Sequence, residues 1–425
     1  MDHLSDGTLA VSDGFVMTGS KREGAQNMDP IYSIPRKDAL RLIRAKTKQI
    51  EEVETIPLQQ SCGRVTAEDV VSLVNLPDAP CSRWDGISFS FARYAECNGD
   101  VSQWEDGRDY LLTNTGIVIP DARFDTMVKI EDTEWEAGCL KAIIQREPVR
   151  LGQNVTPIGY RMKLGEVLAK KDTLITPSYM SLFASGGNLS IPVYRKPVIA
   201  LLATGNELVP RGQRPCAGQI IEANTCSMQA KIAKWGGSSL IYPIVRDDLA
   251  LLTARLKEAA SAADLVIISG GTGRGQHDLL YQALSAAGET CFTRVEHGPG
   301  RRTSLSVVNG TPVIGLVGPP GGEEMTFDFY VIPALRWLQH QSHHETKVNV
   351  ILDDDATPHS RADFYFSLKI YPTADGTLHA LPLSHGGFDR SIADHNGYLF
   401  VPKDSGGYSK GSAVGAELRI GYENI

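Results

Sequence analysis

Apolar positions along this chain change their spacing several times, and each change predicts a different kind of element. Ala39, Leu40 and Ile43 recur at helical intervals between Pro35 and Gln49, which predicts an amphipathic helix. Residues 87–140 carry only short apolar stretches broken by turn residues, which predicts strands without a long helix. From about 197 to 340 the pattern becomes continuous: the apolar runs 197–203, 263–269 and 311–317 alternate with helical stretches at 223–235 and 249–262. Buried β-branched runs separated by helices are the signature of an open parallel sheet. A further helix is expected over 325–341, with Tyr330, Ile332, Leu335 and Leu338 facing the sheet. After it comes a connection holding His340, His343 and His344, expected to be solvent-exposed. Residues 346–425 alternate apolar and polar positions between Gly and Asp turns, as a small β-barrel or sheet would.

At 425 residues the chain exceeds what one hydrophobic core normally accommodates. The expected division is a disordered tail (1–28), an elongated discontinuous α+β domain (29–86 and 143–196), a small β domain inserted into it (87–142), a parallel α/β domain (197–342) and a C-terminal β domain (345–425). The net charge of −8, with no basic stripe, argues against nucleic acid as a partner. Seven cysteines without a C-x-x-C spacing suit a reducing compartment better than a disulfide framework or structural zinc. No apolar run approaches the ~18 residues of a membrane span, so a cytoplasmic protein with no membrane partner is expected.

The candidate chemistry sits at the ends of the three continuous strands. One runs into Ser269, Gly270, Gly271, Thr272, Gly273, Arg274 and Gly275, ahead of Asp278 and a helix. Glycines between a strand and a helix let backbone N–H groups approach an anion with no Cβ in the way. A second ends at Thr204, Gly205, Asn206 and Glu207, and the third at Gly318, Pro319, Pro320, Gly321 and Gly322. Parallel strands present their carboxyl ends on one edge, where such sheets bind ligands. Each acidic residue also has a structural reading: Glu207 as a first-turn carboxylate, Asp278, Asp247 and Asp248 as helix caps, and Asp85 as a turn former with Gly86.

Taken in order, these motifs resemble the molybdopterin molybdenumtransferase family, the MoeA-type proteins related to the E domain of gephyrin. Asp85-Gly86 resembles the end of the family's D-N-S-A-M-D-G-Y-A loop. Thr115-Gly116 with Pro120 resembles T-G-A-x-x-P, and Glu131-Asp132-Thr133 matches E-D-T. Thr204 to Leu208 resembles T-G-D-E-L, and Gly218-Gln219-Ile220 with Asn224 resembles G-x-I-x-x-S-N. Ser269 to Asp278 resembles S-G-G-V-S-x-G-x-x-D, Gly315 to Pro320 takes the place of G-L-P-G-N-P, and Ser384, Ser391 and Asn396-Gly397 follow a C-terminal family segment. The chain departs where K-P-G-K-P reads Gly298-Pro299-Gly300-Arg301-Arg302 and where the asparagine of P-G-N-P is Pro319.

The resemblance implies an α/β multidomain fold whose parallel α/β domain binds molybdopterin. The implied reaction is insertion of molybdate-derived molybdenum into adenylylated molybdopterin with release of AMP, helped by Mg²⁺. It implies catalytic roles for Asp85, Thr115, Glu207 and Asp278, and metal ligation by Glu207, Asp248 and Asp278. Substrate binding falls to Thr204, Gly205, Ser269, Gly270, Gly271, Thr272, Gly273, Gly275, Pro299, Gly300, Arg301, Gly318 and Pro320. Arg301 keeps a charge there and brings a planar fork suited to phosphate. The resemblance also implies a homodimer, a molybdopterin adenylyltransferase as a partner upstream and molybdoenzymes as recipients. A paralogue that only binds molybdopterin or finished cofactor, and an adenylyltransferase, are the alternatives. A dinucleotide dehydrogenase is disfavoured because no G-x-G-x-x-G follows the first strand.

Overall fold

The computed structural model describes residues 33–270, 279–358, 362–383, 393–419 and 421. The chain forms two compact units, one of Gln49–Lys196 with Gln339–Gln341, the other of the residues up to Lys48 with Pro197–Leu338 and Ser342–Ile425.

At the centre of the second unit lies a six-stranded sheet in the order Ser238–Ile241, Val198–Thr204, Leu265–Gly270, Thr311–Leu316, Ser304–Val308, Glu289–Phe292. The first four strands are parallel. Strands Val198–Thr204 and Leu265–Gly270 are buried along nearly their whole length, as expected of strands covered on both faces. The chain passes from Val198–Thr204 through helix Asn224–Lys234 to the edge strand, then through helix Leu249–Ala262 to Leu265–Gly270 on the other side. Strand order therefore reverses between Thr204 and Gly270, which are paired in register. Leu252, Leu256, Leu280 and Leu284 fill the core against Ala200, Val266, Ile268 and Val313.

The sheet is not wholly parallel. Ser304–Val308 and Glu289–Phe292 run antiparallel at its far edge. Asn309 and Gly310, both left-handed at φ 52° and 85°, make the two-residue turn into Thr311–Leu316, as an Asn-Gly hairpin requires.

Residues 320–338 are helical throughout, with a π turn at Phe327–Val331. The C-terminal strands Lys347–Leu352, Asp363–Pro372, Leu378–Pro382, Gly397–Val401 and Ala413–Leu418 close into a small barrel, the third pairing with both its own hairpin partner and the first. Its core includes Val350, Leu368, Ala380, Leu399 and Ala416. A buried ionic cluster ties the barrel to the helices: Lys231 contacts Glu324 at 2.8 Å and Asp328 at 3.2 Å, and Arg419 contacts Asp328 at 2.6 Å and also Glu324. Tyr398 donates to Asp328 at 2.7 Å.

Helix Arg36–Lys46 differs from the expected division, because it packs with this unit and not with the elongated domain assigned to 29–86. Its first residue decides this: the Arg36 guanidinium forms a fork on Glu417 at 2.7 and 2.8 Å and lies 3.7 Å from the centre of the Phe329 ring.

In the unit Gln49–Lys196, one core joins Ile56, Leu58 and Val70 to Ala169, Ile175, Phe183, Ile191 and Val193, and a separate core joins Ile87, Phe89, Trp104, Tyr110, Val128 and Leu140. The second core lies on the three-stranded sheet Gly86–Phe89, Tyr110–Thr113, Thr126–Lys129. His340 also belongs to this unit, and its expected exposure is not what the structure has. Its ring stacks on Tyr194 at 3.8 Å, Nε2 donates to the Ile50 carbonyl at 2.9 Å, and Nδ1 lies 3.3 Å from Asp172. His343 is half-buried as well, and desolvation, aided by nearby Arg336, pushes its pKa down to about 4. Side-chain stacking of this kind leaves no mark in the spacing of three histidines.

Candidate active site

The strand-order reversal between Thr204 and Gly270 is where an open α/β sheet binds its ligand. Several predicted residues converge there. Gly270 sits at φ +99°, and a Cβ on it would lie 2.1 Å from the Thr204 carbonyl oxygen, so only glycine lets the two strand ends meet. Ser269 is buried, accepts from Asn224 Nδ2 at 3.0 Å and donates to the Val317 carbonyl at 3.5 Å. Asn224 Nδ2 also donates to the Gly318 carbonyl at 2.9 Å. One amide thus fastens the ends of Leu265–Gly270 and Thr311–Leu316 to the start of helix Asn224–Lys234.

Thr204 is buried, and its hydroxyl donates to Asp247 Oδ1 at 3.2 Å. The Asn206 N–H donates to Asp247 Oδ2 and the Asp247 N–H to Asn206 Oδ1, both at 3.3 Å. Asp247 therefore braces the turn after the first strand. Asp248 caps helix Leu249–Ala262, accepting from the Leu251 N–H on Oδ1 at 2.7 Å. Glu207 is exposed, its side chain folds over Gly205, and its carboxylate accepts no hydrogen bond from a described residue.

On the far side, Gly300 is left-handed at φ +83°, and a Cβ there would meet Thr326 Cγ2 at 2.1 Å. Gly322 is as tightly placed, 2.8 Å from Val317 Cγ2 for its own added Cβ. The turn Pro299-Gly300-Arg301 is thereby pressed against the helix that Pro320 opens, and Arg301 is exposed, its guanidinium making no hydrogen bond or ion pair with a described residue. Gly271, Thr272, Gly273, Gly275 and Asp278 lie outside the described residues, as do Ser384 and Ser391.

Asp85 and Thr115 lie in the other unit and form a pair of their own. Asp85 Oδ1 accepts from the Thr115 N–H at 2.6 Å and from its hydroxyl at 3.0 Å. The backbone donor first, and then the hydroxyl, hold the exposed carboxyl below its ordinary pKa. Gly86 is needed for a different reason from a turn: a Cβ would lie 2.0 Å from the Val128 carbonyl oxygen across the sheet. Backbone bonds from Ser82 to Ile117 and from Gly116 to Ser82, at 2.9 and 2.8 Å, join the two loops.

Asn224 and Asp247 are the residues whose roles the sequence alone did not give. Asn224 was visible only as part of a motif, since its bridge depends on two strand ends that are distant in sequence.

A glycine-locked switch point in a sheet of this order, followed by a barrel and preceded by two further cores, defines a multidomain α/β protein with a ligand site at the carboxyl ends of its parallel strands. Residues 200–337 match the family described as a probable molybdopterin binding domain, and residues 34–187 match the MoeA N-terminal region (domain I and II). The chain belongs to the MoeA-type molybdopterin molybdenumtransferase family. The molybdopterin molybdenumtransferase of Bacillus subtilis (strain 168) is 29% identical over 407 residues, covering 90% of this chain and 93% of that protein. That of Haemophilus influenzae is 27% identical over 319 residues, covering 71% and 78%. Among solved structures, a molybdopterin biosynthesis moeA protein from Pyrococcus horikoshii OT3 aligns with a TM-score of 0.70 at 26% identity, over 91% of this chain and all of that one.

Proposed function

We propose that this protein inserts molybdate-derived molybdenum into adenylylated molybdopterin and releases AMP, a step of molybdenum cofactor biosynthesis. The observation that carries the reading is the switch point itself, where Gly270 closes on Thr204 and Asn224 ties Ser269 to Gly318 beside an unengaged Glu207 carboxylate. Such an edge, rich in glycine and held rigid, suits a phosphate-bearing ligand. The relatives named as molybdopterin molybdenumtransferases favour transfer over mere binding and over adenylylation.

In this reading Thr204, Gly205, Ser269 to Gly275, Pro299, Gly300, Gly318 and Pro320 shape the site, and Arg301 gives the phosphate a charged donor. Among the described residues no three His, Cys, Asp or Glu side chains gather into a metal cage. Mg²⁺ does not need one, because it keeps waters and substrate phosphates and takes one or two carboxylates. Glu207 and Asp248, each with an oxygen left over, fit that demand; Asp278, outside the described residues, is the third carboxylate the family resemblance implies, and the ion would offset charge on the phosphoanhydride. Asp85, kept ionised by Thr115, and Thr115 itself act on the same substrate, supplied by a second subunit of a homodimer. The seven free cysteines agree with a cytoplasmic location, and no described helix is long and apolar enough to cross a membrane.

Complementation tests this. A strain lacking its own transferase should regain molybdoenzyme activity at ordinary molybdate when given this chain. No rescue at ordinary or very high molybdate, by soluble protein that still binds molybdopterin, would leave a binding role instead.

A further inference from the structure

The turn Pro299-Gly300-Arg301 is entered through His297–Gly298, a short strand that pairs in parallel with Asp363 and Phe364 of the barrel. Most of the turn is tied by backbone acceptors. The Val295 N–H donates to the Arg301 carbonyl at 2.9 Å, and the Thr303 hydroxyl and N–H donate to the Gly300 carbonyl at 2.8 and 3.0 Å. Those bonds leave Pro299 out. Gly298 stands where the family motif has its first lysine, so the charge of the turn rests on Arg301 and Arg302. The side chain between the barrel and Pro299 is that of His297, which is 3% exposed.

The His297 ring is fixed from the helix side. Nε2 lies 2.6 Å from the Tyr330 hydroxyl, and the rings of Phe329 and Tyr365 stand edge-on to it at 5.8 and 5.1 Å. Burial holds the Tyr330 phenol well above its ordinary pKa, so it keeps its proton and has Nε2 to donate to. Burial, and then the charge of Arg36, push the His297 ring down to about 3, so it is neutral. A neutral imidazole that accepts on Nε2 carries its one proton on Nδ1. Nδ1 is buried and makes no well-formed hydrogen bond; the acceptor beside it is the Pro299 backbone, and a proline offers only its carbonyl. A buried N–H needs an acceptor, and this one faces the residue that Val295 and Thr303 leave untied. We propose that His297 is a positioning residue: its Nδ1–H holds the Pro299 carbonyl and so sets the direction in which Arg301, two residues on, meets the substrate phosphate. This assignment rests on the placement of Arg301 at that phosphate in the transferase reading.

A double-mutant cycle in the full-length protein tests it, read as molybdopterin affinity by calorimetric titration. His297→Phe keeps a ring and removes both nitrogens, His297→Asn returns an N–H near the Nδ1 position, and His297→Gln returns one near the Nε2 position. His297→Phe and His297→Gln should weaken molybdopterin about fivefold to tenfold, the scale of one lost hydrogen bond, and His297→Asn should recover most of that. With Arg301→Ala already present, His297→Phe should add nothing, because a residue that acts through Arg301 has nothing left to orient. A residue that only fills the core would lower stability in urea without this coupling. Should His297→Phe not fold, Tyr330→Phe, which releases Nε2 and with it the choice of tautomer, should show the same coupling to Arg301. Unchanged affinity in the folded variants, or losses that simply add to that of Arg301→Ala, overturn the assignment. AMP release from adenylylated molybdopterin by the unmodified protein is followed alongside. Release together with additive losses sinks the positioning role and leaves the transferase reading. Coupling without any release sinks the transferase reading and leaves His297 orienting Arg301 for binding alone.

Discussion

Gly270 shows how a single missing Cβ sets the geometry of the site. With the Thr204 carbonyl 2.1 Å from where the Cβ would be, and φ at +99°, Gly270→Ala must push the two strand ends apart. Overpacking of this kind costs about 1–3 kcal/mol, so urea denaturation should show that loss together with weaker molybdopterin binding. Asn224→Ala should cost about 1–3 kcal/mol as well, because the Ser269 hydroxyl and Gly318 carbonyl lose their shared donor. Glu207 behaves differently, since nothing described depends on its carboxylate. Glu207→Gln should leave stability and molybdopterin affinity unchanged while lowering AMP release at limiting Mg²⁺, the amide being a poor oxygen ligand. Normal turnover at every Mg²⁺ concentration would make its role structural. Gly270 and Glu207 were legible because strand-end glycines and acids follow directly from the apolar run before them. Asn224 was not, because its two acceptors become neighbours only once the sheet has formed.

Elements were legible where one period ran long enough to be unambiguous. Val198–Thr204, Leu249–Ala262 and Leu265–Gly270 fall within a residue or two of the apolar runs and helical stretches that announced them. The antiparallel edge was missed although Asn309-Gly310 is a strong hairpin signal, because the run before it is short and broken by serine. The buried ionic cluster was missed for a different reason: Lys231, Glu324, Asp328 and Arg419 read as ordinary surface charges until the barrel packs on them. Removing one partner strands the others, so Lys231→Ala should cost about 3–5 kcal/mol in chemical denaturation.

Glu323 lies in the same buried region. Desolvation pushes its carboxyl up from 4.5 to about 8, despite partial relief from Lys231. The folded state then holds that proton more tightly than the unfolded chain does. Stability contributed by Glu323 should therefore fall as pH rises from about 4.5 to about 8 and stay level above that. Glu323→Gln should flatten this slope in denaturation curves taken across the same range. An unchanged slope would mean that the carboxyl ionises freely in the folded protein.

For the molecule as a whole, the α/β class and the C-terminal barrel could be read from patterning. The placement of the first helix could not: Arg36–Lys46 is amphipathic, but its partners, Glu417 and Phe329, lie hundreds of residues away. Sequence order put it with the neighbouring strands, whereas an ion pair and a ring contact put it with the α/β unit. His340 is the same case in the other unit, drawn in by Tyr194 and the Ile50 carbonyl. Function was legible because its motifs are local, each a strand end or a turn, and a relative named as a molybdopterin molybdenumtransferase matches over 407 residues. The central claim is that this chain performs the transfer and does not merely hold the pterin. Purified protein incubated with adenylylated molybdopterin, molybdate and Mg²⁺ should release AMP in step with the appearance of cofactor that can activate a molybdenum-free apoenzyme. Adenylylated molybdopterin that binds yet yields no AMP and no transferable cofactor at any molybdate concentration would contradict it.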